Sequence, residues 1–339
     1  MSRERTTPPA ALRAIFRIDR GSDQRALGTP PQGRCPVPSR ACPLPPYGII
    51  QTVPESPHRL LLFFRMIRIS HSVFALPFAF TGAVLAASGL PPLREILLII
   101  AAMVGARSGA MGMNRIVDHK IDAENPRTKT REIPAGTITV PQAALFTAFS
   151  FVLLVVAAAL LNPLCLNLSP LAIAIVIGYS YTKRFTWLSH FVLGLALAGA
   201  PFGAWIAIRG TLDPAILPLG LGVVFWLAGF DVLYALQDID FDRRSGLYSI
   251  PQRFGVRKAL MLARLFHAVT CLCLAATGLL FELGAVYWIG MLVVAGLFVY
   301  EHSLVKPDDL SKLDVAFFNM NGYISITVLF FTTAAIVLG

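Results

Sequence analysis

The amino-acid sequence predicts an all-α membrane protein, a bundle of about nine transmembrane helices. Three observations lead there. The chain is 55% hydrophobic and only 14% charged, with a mean hydropathy of +0.66, a balance foreign to soluble domains. Its apolar residues gather into segments close to the roughly 20 residues that a helix needs to cross a bilayer. None of these segments reads as the short alternating runs of a membrane β-barrel.

Taken in order, the first predicted span is 71–89 and the second is 95–114, which ends where polar residues begin at Asn114. The third, 141–160, follows the turn Pro134-Ala-Gly136, and the fourth, 164–182, runs into Tyr179-Ser-Tyr181-Thr-Lys183-Arg184. The fifth is 188–208, and the sixth, 215–236, again ends in acidic residues. The seventh, 259–281, follows Arg253, Arg257 and Lys258; the eighth is 284–300 and the ninth 315–338. Only short turns separate the fourth and eighth from their neighbours, so their boundaries rest on the least sequence.

Lys and Arg placement sets the orientation. With the N-terminus inside, one set of loops holds Arg115, Lys120, Arg127, Lys129, Arg131, Lys183, Arg184, Arg243, Arg244, Arg253, Arg257, Lys258, Lys306 and Lys312, while the other holds only Arg94 and Arg209. Fourteen against two puts the basic loops on the cytoplasmic side. The formal charge of +10 therefore reads as topology and not as a nucleic-acid footprint. The expected location is the bacterial cytoplasmic (inner) membrane.

Residues 1–58 stand apart: eight Arg, eleven Pro, no Lys and no apolar run of signal-peptide length. Such a stretch cannot bury a core and is expected to be a disordered arm preceding a transmembrane domain at 59–339. The five cysteines, Cys35, Cys42, Cys165, Cys271 and Cys273, show no metal spacing. Cys271 and Cys273 are two apart within one predicted span and read as small apolar fillers.

Two acidic clusters interrupt the apolar pattern on the cytoplasmic side: Asn114-Arg-Ile-Val-Asp118-His-Lys-Ile-Asp122, and Asp231-Val-Leu-Tyr234-Ala-Leu-Gln-Asp238-Ile-Asp240-Phe-Asp242. Within each, carboxylates recur four residues apart and share a helix face, where like charges repel. Hard oxygen donors of this kind suit Mg²⁺, completed by water and phosphate oxygens. Arg127, Lys129 and Arg131 follow the first cluster, and Arg243 and Arg244 the second. Plain salt-bridged loops would explain either cluster alone. Repetition at two span ends on one side argues for halves of a single diphosphate cradle. The Tyr and bases at 179–184 are ordinary interfacial dressing in isolation; between two acidic clusters, Lys183 and Arg184 become candidates to hold a diphosphate or a carboxylate.

The ordered set N-x-x-x-D-x-x-x-D, Y-x-x-x-K-R and D-x-x-Y-A-x-x-D-x-x-x-D, at the ends of the second, fourth and sixth predicted spans, resembles the UbiA superfamily of intramembrane prenyltransferases. The likeness covers residues 60–339. It implies the UbiA-type nine-helix fold, and a Mg²⁺ site formed by Asn114, Asp118, Asp122, Asp238 and Asp242 that binds the diphosphate of an isoprenoid donor. It further implies Lys183 and Arg184 beside Asp118, Asp122, Asp238 and Asp242 in the catalytic set. Arg68, Arg127, Arg131, Tyr179, Asp231 and Tyr234 are implied contacts for diphosphate or acceptor, with Asp231 and Tyr234 deeper in the helix. Asp240 is outside the pattern and is expected to face solvent.

The implied activity is transfer of a polyprenyl group to the ring of a hydroxyaryl carboxylate, of the 4-hydroxybenzoate type, in ubiquinone or menaquinone biosynthesis. Many 4-hydroxybenzoate enzymes of the family read Arg-x-Asp-Lys-Pro before the first span, where this chain has Arg68-Ile-Ser70-His71-Ser72. That departure keeps 1,4-dihydroxy-6-naphthoate open as the acceptor. Phe74, Phe78 and Phe80 read as packing residues ahead of a role in a prenyl tunnel. The partners are polyprenyl diphosphate, an aromatic acid and the lipid bilayer, without nucleic acid. Two other classes fit less well. CDP-alcohol phosphotransferases concentrate their aspartates in one long motif, and cation-coupled transporters place carboxylates near the bilayer midplane.

Overall fold

The computed structural model describes residues 59–66, 75–310, 313 and 319–339. Residues 1–58, Arg68, Ser70, His71, Phe74 and Lys312 lie outside the described residues, and so do the readings made for them. A short helix α1 (Arg59–Met66) precedes the bundle: α2 (Ala75–Ala87), α3 (Leu93–Glu124), α4 (Val140–Leu161), α5 (Pro163–Thr182), α6 (Ser189–Arg209), α7 (Leu217–Ala235), the two-turn α8 (Ile239–Arg244), α9 (Ile250–Leu280), α10 (Ala285–Leu304) and α11 (Asn321–Leu338). Eight described helices are long and apolar enough to cross a bilayer, with α7 and α8 counted as one, and the thirteen-residue α2 lies within the first predicted span. The protein is an all-helical integral membrane bundle.

Punctuation in the sequence sets the helix ends. Thr139 and Gln142 form a reciprocal capping box at the start of α4. Asn162 caps α5 by accepting from the Cys165 amide, so one residue separates α4 from α5. Gly210 adopts a φ of +69° to close α6. Two elements are longer than the apolar pattern predicts. α3 continues ten residues past 114, so the first acidic cluster forms its last turns, and α9 begins at Ile250 and not at 259, bending at Gly255 (φ 77°).

Successive helices are neighbours: α3 packs on α4, α4 on α5, α5 on α6, α6 on α7, α7 on α9, α9 on α10, α10 on α11, and α11 on α2, which also crosses α6. Chain direction alternates, so α3, α5 and α7 all finish at the same end of the bundle. Lipid tails are as apolar as leucine, so close packing has to hold these helices together. Small residues permit it. A Cβ on Gly105 would stand 2.7 Å from the Leu154 nitrogen of α4, and one on Gly112 2.2 Å from Thr147 Oγ1. On α2, a Cβ at Gly82 would stand 2.6 Å from the Pro201 carbonyl oxygen. The central core gathers Phe78, Trp226, Phe230 and Leu274, while Leu145, Phe149, Val156 and Leu292 stand exposed as a belt for lipid.

Candidate active site

Helix geometry gathers the site at the common end of α3, α5 and α7. Asn114, Asp118 and Asp122 recur every four residues on α3, so one face carries all three. That face turns inward: Asp118 and Asp122 are buried, whereas Lys120 is exposed. Two carboxylates so placed are tolerable only if each meets a cation, and the neighbouring elements supply them.

Asp118 is 1% exposed. It accepts from Asn114 Nδ2 at 3.1 Å, Lys183 Nζ at 2.5 Å and an Arg184 guanidinium nitrogen at 2.9 Å. Arg184 also donates to the Ser180 and Val117 carbonyl oxygens, tying the end of α5 to α3. Both bases sit at a helix C-terminus, where the macrodipole favours positive charge. Asp122 takes one Arg131 guanidinium nitrogen at 2.7 Å from each of its oxygens, and Arg115 approaches to 3.9 Å.

The two acidic motifs meet through Asp238. Arg127 donates from Nε to Asp238 Oδ1 at 2.9 Å, pairs with Asp238 Oδ2 through a second nitrogen, and reaches the Tyr234 hydroxyl at 2.8 Å. Its guanidinium stands 5.1 Å from the Tyr234 ring centre, and Asn125 Nδ2 adds a bond to Asp238 Oδ1 at 3.0 Å. Burial disfavours the Arg127 charge, but the bonds and charges of Asp238 and Tyr234 outweigh it and raise its pKa. Asp242 accepts from Ser249 Oγ at 2.9 Å, and the same oxygen caps α9 through the Gln252 amide. Asp231 faces His190 Nδ1 at 2.7 Å. Asp240 is exposed.

Below these pairs a cavity of about 660 Å³ runs the length of the bundle. Asn114, Arg131, Tyr179 and Tyr234 line its polar mouth, and Asp231, seven residues before Asp238, lines its wall further in; Ile99 and Met103 on α3, Leu168 and Ile175 on α5, and Leu212 line its apolar body. Leu171, Leu195 and Leu212 on its wall are exposed, so it opens sideways where lipid would lie. Phe78 and Phe80 are absent from the lining. Phe78 packs on Trp226 with ring centres 4.7 Å apart, and Phe80 packs against the Ala79–Ala83 cluster.

Four contributors escaped the sequence reading. Asn125 and Ser249 were hidden because loop position alone does not reveal a partner. Arg107 lines the cavity, seven residues (roughly two turns, about 10 Å) before Asn114 on α3. Its signal is the lone Arg inside an apolar span, which marks a functional position by default. His190 is the fourth, a histidine in the first turn of α6.

The donor atoms are carboxylate and amide oxygens, the set a hard divalent cation takes. Among the described residues, no three His, Cys, Asp or Glu side chains converge on one point; the carboxylates meet bases one by one. A diphosphate therefore has bases at hand, and a metal has oxygens, on the same framework.

The profile of the UbiA prenyltransferase family matches residues 75–323. A 4-hydroxybenzoate octaprenyltransferase of Vibrio cholerae is 34% identical over 248 residues, covering 72% of this chain and 85% of that one. Among solved structures, a UbiA homolog from Aeropyrum pernix K1 superposes with a TM-score of 0.69 at 32% identity, covering 80% of this chain and 98% of the other. A UbiA homolog from Archaeoglobus fulgidus, solved bound to DMAPP and Mg²⁺, has a TM-score of 0.62 at 20% identity, covering 82% of this chain and 99% of its own, and shares the fold.

Proposed function

The chain belongs to the UbiA prenyltransferase family, and on that footing we propose that it transfers a polyprenyl group from polyprenyl diphosphate to the ring of 4-hydroxybenzoate in quinone synthesis. The observation that carries the proposal is one cavity whose mouth, lined by Asn114, Arg131 and Tyr179, lies beside the paired carboxylates and bases and whose apolar body opens toward lipid. The mouth suits a diphosphate and an aromatic acid, and the body suits a long isoprenoid tail. The domain doing this work is 59–339, with 1–58 an appended arm. The charge bias between loops supports a mouth on the cytoplasmic face of a bacterial inner membrane.

Mg²⁺ is the fitting metal; Asn114, Asp118, Asp122, Asp238 and Asp242 would hold it, and it would offset charge on the diphosphate. Lys183, Arg184, Arg127 and Arg131 now neutralise three of those carboxylates. A carboxylate that turned to the metal would free its base for a phosphate oxygen. The allylic C–O bond then breaks, with the electron pair leaving on the diphosphate toward these bases. A new C–C bond forms at the ring carbon ortho to the hydroxyl, and the proton that this carbon loses passes to the released diphosphate. Apolar walls keep water from the developing cation.

The acceptor belongs deeper. Arg107 lies two turns inward from Asn114, and Asp231 lies seven residues before Asp238, both on the cavity wall. Arg107 is the partner for the acceptor carboxylate, and Asp231 accepts the hydrogen of its ring hydroxyl, making the ring more electron-rich. Membranes containing the protein, Mg²⁺ and a polyprenyl diphosphate, supplied with either 4-hydroxybenzoate or 1,4-dihydroxy-6-naphthoate, test the reading. Prenylated 4-hydroxybenzoate is the expected product. No product with either acid, or turnover that survives Asp118→Ala or Asp238→Ala, refutes it.

A further inference from the structure

His190 makes two bonds that together fix its chemistry. It is 2% exposed. The Ile250 backbone N–H donates to its Nε2 at 3.2 Å, and its Nδ1 stands 2.7 Å from Asp231 Oδ2. Ile250 is the first residue of α9, so its N–H is one of the donors that a helix start leaves without an internal partner. A nitrogen that accepts from an N–H carries a lone pair and no hydrogen. An imidazolium would set two donors against each other there. The ring is therefore neutral, its one hydrogen is on Nδ1, and it donates that hydrogen to Asp231.

Asp231 is thereby set apart from the carboxylates at the mouth. Asp118, Asp122 and Asp238 each face a Lys or Arg; Asp231 faces a neutral donor and lines the cavity. A cationic partner would quench the basicity of a carboxylate. One neutral hydrogen bond orients it and leaves it able to accept. The bond takes Oδ2, which leaves Oδ1 available on the side chain, itself 21% exposed. Capping alone does not account for His190, because Ser249 already caps α9 through Gln252.

We propose that His190 is a positioning residue for the acceptor half of the reaction: as a neutral Nδ1–H imidazole anchored on the α9 backbone, it holds Asp231 with one oxygen turned to the ring hydroxyl of the acceptor. The proposal rests on the reading of Asp231 given above. It also makes the bend of α9 part of the site, since Ile250 lies before the Gly255 kink and fixes the imidazole plane.

Three substitutions separate this role from a packing role. His190→Phe removes both bonds. His190→Asn keeps a donor where Nδ1 stands and gives up the reach to Ile250. His190→Gln offers a neutral donor and acceptor side by side. Steady-state prenylation of 4-hydroxybenzoate and the thermal midpoint in detergent are measured for each. With His190→Phe, kcat is expected to fall about tenfold to a hundredfold, the scale of one hydrogen bond to a charged group, with the KM for polyprenyl diphosphate unchanged. His190→Asn is expected to keep most of kcat at a lowered midpoint, and His190→Gln to recover both. A kcat that tracks the midpoint across the series overturns the proposal, as does a His190→Gln enzyme as slow as His190→Phe, which would require a titrating imidazole. Wild-type protein that prenylates no acceptor overturns the reading beneath it and this inference together, whereas an active wild type matched by His190→Phe overturns the inference alone.

Discussion

The Arg127 clamp offers the sharpest quantitative prediction. Arg127→Lys keeps the charge and loses the planar fork that grips both Asp238 oxygens, the bond to the Tyr234 hydroxyl and the stacking on its ring. In a buried setting, a forked bond to a carboxylate contributes about 1.5–3 kcal/mol, and an exposed cation–π contact about 0.5–1 kcal/mol. Here the side chains are 29% and 17% exposed, so solvent screening lowers the sum below its fully buried range, to about 1–2 kcal/mol. At 1.36 kcal/mol per tenfold, that corresponds to at most about a fivefold to thirtyfold loss in kcat, if the two motifs must be joined for turnover. The assay is steady-state prenylation in membranes for Arg127→Lys, Tyr234→Phe and the double variant. The two losses should be less than additive, because both substitutions break the same bond. Fully additive effects, or an Arg127→Lys enzyme at wild-type speed, would show that the clamp is not part of the working site.

Two further predictions follow from packing and from the cavity. Gly82→Ala drives a Cβ to 2.6 Å from the Pro201 carbonyl oxygen, a backbone atom that cannot step aside; it should cost about 1–3 kcal/mol and lower the thermal midpoint in detergent, while Gly178→Ala, which meets open space, leaves it unchanged or slightly raised. Arg107→Gln should raise the KM for 4-hydroxybenzoate about tenfold to a hundredfold, as loss of a charged partner does, with the KM for polyprenyl diphosphate little altered; an equal rise in both would move Arg107 to the diphosphate.

The bundle was legible because membrane crossing is a demand on length and apolarity, and the chain meets it segment by segment. The turn between the third and fourth spans was the weaker boundary, and the structure resolves it as the single residue Asn162, which caps α5 ahead of Pro163. The end of α3 was not legible at 114, since a charged run reads as the end of a span, and only tertiary partners such as Arg131 and Lys183 let the helix carry Asp118 and Asp122 onward. The start of α9 was hidden for a related reason: Arg253 and Arg257 look like a loop, yet they lie on a helix capped by Ser249. Motif spacing offered candidate residues for the site but not their pairing. Asp238 to Arg127 is a contact across 111 positions, and no local pattern encodes it. Arg107 is a single charged position in an apolar span, and its place on the cavity wall appears only in three dimensions, as does the carboxylate that His190 faces.

The pairing also has a consequence for how the chain is made. Arg131 follows Asp122 by nine positions, and Arg127 precedes Asp238 by 111, so Asp122 meets its counter-charge almost at once and Asp238 emerges to find one already in place. Asp118 alone must wait, for 65 positions, until Lys183 arrives at the end of α5. During synthesis, then, Asp118 is the one of these three carboxylates that lacks its base while two more spans insert. A chain stalled between α3 and α5 would be the form most exposed to quality control.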